Sequence, residues 1–414
     1  MSASGCQILG PTGSSRGFRE GSLVKKITLI PIVVVGAALV LSLSPGPLMA
    51  KVTGRCDNCH TMHASQSPWP ANWSDKSLLP QQHLLATAFS AADTSPCVGC
   101  HSSSVTSTYY DLEGTKVPVV FYTGGTPPDE YLAGGNFWWV KEGQGDDDTK
   151  GHNVFFNEGD DNLADGAPGD IGFANCGVDS CHSNLHLSAA GVPTSLLGKY
   201  GCEGCHINVR HHADDHGNFE SGLVNTAAQG WYRFLWHHSG GAPDPSLGVE
   251  GFEDGEWEAG HPNHPQGGTD HNEYLGKVID GGYGFLFLGN TTTAFCTGCH
   301  GVFHSDQHQG DESNDDLWIR HPSDAVIPDE GEYADVGGAS HLYDPLSPVA
   351  KATVDDTPDA TVSPGSDMVM CLSCHRAHGS PYSDLLRWDY EQMVASGGGD
   401  DRGCFYCHTQ KNDG

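Results

Sequence analysis

Positive charge is what this chain has least of. Only 20 Lys and Arg stand against 52 Asp and Glu, a formal charge of −32. That balance excludes a nucleic-acid partner and an anionic membrane surface, and it favours basic partners or cations. It suits equally a chain that must stay dissolved in a salty or crowded medium. Long aliphatic runs are the second shortage. They are scarce outside the N-terminus, charged residues make up 17%, and Gly and Pro together number 79. A chain so rich in turn formers must bury something besides its own side chains. Disorder would suit the composition alone, but 15 Cys and 24 His do not suit disorder.

The one long apolar run lies near the start. Arg16, Arg19, Lys25 and Lys26 precede an uncharged stretch from Ile27 to Leu43, and Pro45 and Pro47 then break it ahead of Ala50. Charge, apolar stretch and breaker in that order predict a signal peptide over 1–50, cleaved near Ala50. Retention as a membrane anchor is the alternative. Cys6 precedes the apolar stretch and leaves with the signal. The remaining 51–414 carry a formal charge of −35 and 14 Cys, and no membrane span is expected in them.

Those 14 cysteines form seven pairs, each followed at once by His. Six pairs are CxxCH: Cys56/Cys59/His60, Cys97/Cys100/His101, Cys202/Cys205/His206, Cys296/Cys299/His300, Cys371/Cys374/His375 and Cys404/Cys407/His408. The seventh, CGVDSCH, has Cys176, Cys181 and His182. Two thiols at this spacing add across the two vinyl groups of one haem, and the next residue gives its imidazole to the iron. Disulfides, zinc sites and thioredoxin-like pairs are the competing readings, and none of them requires His directly after the second Cys. The motifs therefore predict seven covalently attached haem c groups.

Methionine is too scarce to supply the second axial ligand. Met62, Met368, Met370 and Met393 are the four beyond residue 50, while 17 His remain outside the motifs. Bis-His ligation at most or all haems follows, with lower potentials than His/Met ligation gives. His63 and His378 each follow a motif His by three residues, His186 and His304 by four, and His211 by five. A residue three or four positions on shares a helix face with the motif His, so it cannot pass to the far side of the same iron. It can reach a neighbouring haem and clamp the two together. His83, His152, His237, His238, His271, His321 and His341 stand apart from the motifs as further candidates. His212, His216, His261, His264 and His308 are weaker ones.

The motif histidines follow no strict repeat, and 364 residues for seven haems leave 52 per haem. The expected fold is mostly irregular coil with short α-helices and a few β-hairpins, organised around a chain of seven covalently bound haems. Candidate strands are 117–122 and 136–140, joined through the turn at 124–128. Residues 382–392 are a candidate helix with Leu385 and Trp388 on one face. The acidic loops at 146–148, 160–165 and 311–316 match no EF-hand pattern and read as solvated loops.

Longer segments carry a family likeness. CDNCHTMH (56–63), GGNFWWV with GHNV (134–154), WIRHPSD with YDPLSPVA (318–350) and CLSCHRAHGSPYSDLLRWDY (371–390) resemble secreted multihaem cytochromes with doubled CxxCH motifs, found in bacteria that respire metals and other external acceptors. The resemblance implies distal ligands at His63, His152, His321 and His378. Some members polymerise into extracellular filaments in which the second His of a CHTMH-type motif ligates a haem of the next subunit, a role that falls here to His63. The count of seven motifs departs from the even numbers of well-known filament formers.

The expected function is electron conduction along bis-His haems in extracellular electron transfer, as a filament or as a periplasmic or surface carrier. Its partners would be further copies of itself, redox proteins or external electron acceptors. A multihaem reductase with one open-site haem is the rival. Such enzymes often carry a changed motif such as CxxCK, and no Lys replaces His in any of the seven. A surface adhesion protein is a third class, with only the acidic surface in its favour.

Overall fold

In the computed structural model, the CxxCH spacing closes a single helical turn. The residues described are 96–112, 115–128, 132–141, 148–152, 154, 201–206, 209, 211, 222–239, 242–255, 257, 265–278, 290–297, 308–309, 318–319, 321–396 and 402–411. All fall in one compact unit spanning 48–414. Pro96–Gly99 and Gly201–Gly204 are 3-10 turns, while α2 (Cys371–Cys374) and α3 (Cys404–Cys407) are α-helical. In each, the histidine N–H reaches back to the first cysteine's carbonyl, at 2.8 Å for His101 and His206, 3.0 Å for His375 and 2.9 Å for His408. That bond spans four residues, as in any α-turn, and it brings both sulfurs to one side. Helix α1 (Thr292–Cys296) is capped by Thr291, whose Oγ1 accepts from Ala294 N at 3.0 Å, and it ends on the motif cysteine Cys296.

A six-stranded sheet ties the C-terminal motifs to the middle of the chain. Its strands are β1 (Leu223–Val224), β2 (Gly251–Phe252), β3 (Glu273–Leu275), β4 (Ala325–Val326), β5 (Ala350–Lys351) and β6 (Met368–Val369), in spatial order β4-β6-β5-β3-β2-β1. All neighbours are antiparallel except β5 and β3, which pair in parallel with Ala350 opposite Tyr274. Tyr274, Ala350 and Met368 from this sheet bury themselves with Tyr232, Val249 and Met370. A second cluster joins Ile327, Val336, Tyr343, Val349 and Val362 to Tyr406 of α3. A third, Val98, Phe137, Val140 and Val154, lies beside the Cys97 motif. Met368 and Met370 therefore serve as core residues.

Three sequence expectations need correction. A sheet of six strands goes beyond a few hairpins, although each strand has only two or three residues. Residues 117–122 and 136–140 form no hairpin. Tyr109–Leu112 pairs with Thr115–Pro118 instead, and Phe137–Trp139 is a 3-10 turn because the Asn136 side chain accepts from Trp138 N. Residues 382–392 form two separate 3-10 turns rather than one helix. Asp384 and Leu385 sit at φ +59° and +58°, and their carbonyls are taken by His375 Nδ1 and Arg376 N. Among the described residues no helix is long and apolar enough to cross a membrane.

Candidate haem centres

The first described motif shows how a cysteine pair is set. Cys97 and Cys100 are both half-buried, Cys100 N donates to Cys97 O at 3.1 Å, and the Cys100 carbonyl accepts from the Tyr110 hydroxyl at 2.7 Å. The Cys202 turn repeats the backbone bond, with Cys205 N donating to Cys202 O at 3.2 Å. Cys97 and Cys100 are not joined to each other as a disulfide, and neither are Cys202 and Cys205, Cys371 and Cys374, or Cys404 and Cys407. These four pairs therefore do not take the competing disulfide form, and their thiols can hold the haem that the motifs predict.

Every described motif histidine has its Nδ1 held. His101 Nδ1 meets Pro118 O at 3.0 Å, His206 meets Arg233 O at 2.6 Å, and His375 meets Asp384 O at 2.6 Å. His408 Nδ1 lies 3.4 Å from the Glu332 carboxylate. Two of the histidines outside the motifs do the same, His152 with Ala377 O at 2.6 Å and His321 with Pro322 O at 2.9 Å. A backbone carbonyl can only accept, so Nδ1 carries the proton and Nε2 is left with its lone pair. That is the tautomer a metal takes, with ring orientation fixed by the second bond.

Burial lowers the pKa of His101, His206, His152 and His375, and brings His378 down to about 3. These rings stay neutral, as ligands must. By solvent exposure His101, His152, His206 and His378 are half-buried and His375 is exposed. His378 N donates to Gly134 O at 2.6 Å, and its ring packs on Phe137 with centroids 4.5 Å apart. A Cβ on Gly134 would come within 2.9 Å of His378 Nδ1, so glycine leaves the ring its room.

Histidines distant in sequence come close to the described motif histidines. His101 and His211 have ring centroids 6.1 Å apart, His206 and His378 6.1 Å, and His321 and His408 6.2 Å. His152 lies within electrostatic reach of both His375 and His378. His271 is placed otherwise: it is buried, stacked on Tyr343 at 3.9 Å, with Nε2 3.8 Å from Glu273. His341 Nδ1 meets Val336 O at 3.0 Å, and it is paired with no motif histidine among the ring contacts described. Cys56, Cys59, His60, His63, His83, Cys176, Cys181, His182, His186, Cys299, His300 and His304 lie outside the described residues.

The chemistry of these residues fits haem c. Thiols and imidazoles are presented in the order that thioether and axial bonds need. Buried indole N–H groups of Trp138 and Trp139 have no partner among the described residues, and they are donors suited to propionate carboxylates. Burial pushes the thiols of Cys374 and Cys407 up to about 12 and that of Cys205 up to about 11, opposite to a reactive redox pair. No set of three or more His, Cys, Asp or Glu converges on a metal position among the described residues.

Some of the residues that shape these centres left no trace in composition or spacing. Pro118, Arg233 and Asp384 act through backbone carbonyls, which any residue could supply. Glu332 looks like one acid among many. Asp324, buried near the Cys371 motif, does fall in the WIRHPSD segment, and that segment was the available signal.

Comparison with known proteins agrees with this chemistry. Residues 363–413 match the family described as doubled CXXCH motif. C-type cytochrome OmcS of Geobacter sulfurreducens is 24% identical over 410 residues, covering 88% of this chain and 86% of the relative. The solved structure titled Outer Membrane Cytochrome S Filament from Geobacter sulfurreducens aligns over 82% of this chain and 85% of its own, with 17% identity and a TM-score of 0.41. The chain binds haem c through its CXXCH motifs, and it resembles the multihaem c-type cytochromes with doubled CXXCH motifs.

Proposed function

We propose that the protein conducts electrons along a row of seven haems, each iron held between two histidines. The observation that carries this is the spacing of the facing rings. With metal–imidazole bonds of about 2.0 Å on either side, as for zinc, two rings sharing one metal have centres on the order of 6 Å apart. The three pairs stand at 6.1, 6.1 and 6.2 Å. Both ring planes contain the shared axis, so any angle between them is allowed, and 20°, 61° and 84° occur. In this reading His211, His378 and His321 complete the irons of His101, His206 and His408, and His152 serves that of His375.

When bound, haem supplies one-electron iron chemistry. The chain supplies order. His211 follows the Cys202 motif but faces His101, and His378 follows the Cys371 motif but faces His206. Each such histidine ties its own haem to the next, so the motifs at 97, 202 and 371 stand in that sequence. Cys374 and Cys407 interact electrostatically, which puts the last motif beside the third of these.

The role is that of an electron carrier rather than a catalyst. The protein acts after export, outside the cell or in the periplasm, and passes electrons to redox partners or external acceptors. His63 reaches a haem of the next subunit in a head-to-tail filament, a contact that does not close on itself. The intact mass of the exported protein tests the count: seven haems are expected, and six would remove CGVDSCH. The ferrous protein should not bind carbon monoxide. Ready binding to one haem in the wild type would favour a reductase with an open site.

A further inference from the structure

Where α1 meets α2, two attachment cysteines from different motifs come together: Cys296 and Cys371 interact electrostatically, and the Cys371 sulfur lies 3.8 Å from Thr293 Oγ1 on α1. In the reading above each sulfur would bond a different porphyrin. Asp324 is the carboxylate at this meeting. It is 1% exposed. Its backbone is held at φ +50°, in the left-handed region that a non-glycine residue adopts at a cost and that clusters at functional sites. Its N–H donates to Val369 O at 2.8 Å. Oδ2 accepts from Thr291 Oγ1 at 2.7 Å, and the nearby Thr293 hydroxyl also favours the charged carboxylate. Oδ1 is buried with no partner among the described residues.

The titratable groups facing Asp324 are the sulfur of Cys371 and, beyond it, that of Cys296. Thioether formation leaves both uncharged. The other polar neighbours are hydroxyls, from Thr291 and Thr293 on the α1 side and from Ser323, which bonds the Cys371 sulfur. Burial pushes the Asp324 carboxyl up to about 6 against the pull of the two threonine hydroxyls. A negative charge sealed near the Cys371 sulfur would strongly oppose an electron arriving at a haem bound there, because little solvent screens it.

We propose that Asp324 is a proton-coupled group for the haem bound through Cys371, taking up one proton when that haem takes up one electron. The electron comes from a neighbouring haem or from a chemical reductant such as dithionite, and the proton comes from solvent. The carboxylate becomes a carboxylic acid, no bond to sulfur or porphyrin changes, and reoxidation releases both. The proposal rests on haem being attached at Cys296 and Cys371; missing haem mass would refute that reading first and separately.

Redox titration of the haem-loaded protein across about pH 5 to 8 tests it. One haem should change its reduction equilibrium by up to tenfold per pH unit, or about 59 mV for a one-electron couple. Asp324→Asn should flatten that slope and make the haem easier to reduce at neutral pH. Thr291→Val removes a hydrogen bond to the carboxylate and should move the window to higher pH. The infrared difference spectrum of the wild type should gain a carboxylic-acid C=O band on reduction, absent in Asp324→Asn. Equal slopes in wild type and Asp324→Asn, with every haem present by mass, overturn the proposal. Should Asp324→Asn fail to load haem, an unmoved window in Thr291→Val or a missing C=O band in the wild type overturns it instead.

Discussion

The six-stranded sheet buries Tyr274, Ala350 and Met368 against Tyr232, Val249 and Met370, an apolar core of ordinary kind. The junction around His378 is built differently. There residues 132–141 and 148–152 meet residues 376–380 chiefly through backbone. Asn136 N reaches Gly379 O at 2.9 Å, His378 N reaches Gly134 O at 2.6 Å, and Ser380 N reaches Lys150 O at 2.9 Å. Arg376 Nη1 and Arg387 Nη2 add bonds to the carbonyls of Leu132 and Ala133. Hydrogen bonds are modest net contributors, whereas apolar burial adds roughly 25 cal/mol per Å². The sheet can therefore persist on its own packing, while the junction depends on the porphyrins its histidines would hold.

Withholding haem should expose this difference most. In chain produced without haem attachment, hydrogen exchange should show amides at 134–136 and 378–380 losing protection by more than about tenfold, or 1.4 kcal/mol, relative to those of the sheet. Unfolding should lose its single cooperative transition. Equal protection in both regions would mean that the junction needs no cofactor.

The next effect belongs to the sheet. Lys351 is buried on β5, its Nζ 2.7 Å from Asp367 Oδ2, with Asp359 more distant at 3.7 Å. Asp367→Asn leaves a buried ammonium without its close partner and should cost about 3–5 kcal/mol by denaturant titration. The haem spectrum should not change. A spectral change would show that sheet and haem centres are not independent.

The junction's own sensitivity lies at Gly135, held at φ +81° and bridged to Gly379. A Cβ there would collide with the Gly379 carbonyl. Gly135→Ala should cost about 1–3 kcal/mol from backbone strain alone. Because it displaces the backbone segment that holds His378, it should also yield one high-spin haem, as His378→Ala should.

These regions differ as sharply in how much the sequence disclosed. The motif turns were legible because CxxCH forces the geometry: two sulfurs and an imidazole must face one ring. A shared helix face was the reason for expecting His378 to turn to another motif's histidine, but α2 ends at Cys374 and His375 is extended at φ −113° and ψ 156°, so helical direction is not what separates the two rings. The sheet was not legible. Its strands have two or three residues, too short for alternation to register, and β5 pairs in parallel with β3 across about seventy residues of chain. Residues 382–392 read as helical from Leu385 and Trp388. That reading could not include the carbonyls of Asp384 and Leu385, which are committed to His375 and Arg376. Side-chain patterns record burial; they do not record which carbonyl an imidazole will claim.

The smallest expected effect separates covalent from non-covalent support. Asn136 is buried in the junction, and its Oδ1 accepts from both Tyr122 N and Trp138 N at 3.0 Å. Ser373 sits within α2, where its Oγ accepts from Met370 N at 3.0 Å. Each removal deletes a cap, ordinarily worth about 1 kcal/mol. In the haem-loaded protein the thioethers of Cys371 and Cys374 would hold the α2 turn closed whether or not Ser373 caps it. Nothing covalent holds Asn136, and its loss strands two backbone amides. Asn136→Ala should therefore lower stability by about 1–2 kcal/mol and Ser373→Ala by less than about 1 kcal/mol, read from denaturant midpoints. In haem-free chain the order should reverse, because the α2 turn then has only its hydrogen bonds and the junction has already opened. The same order in both forms would mean that the junction stays closed without haem and that the α2 turn depends on neither the cofactor nor the Ser373 cap.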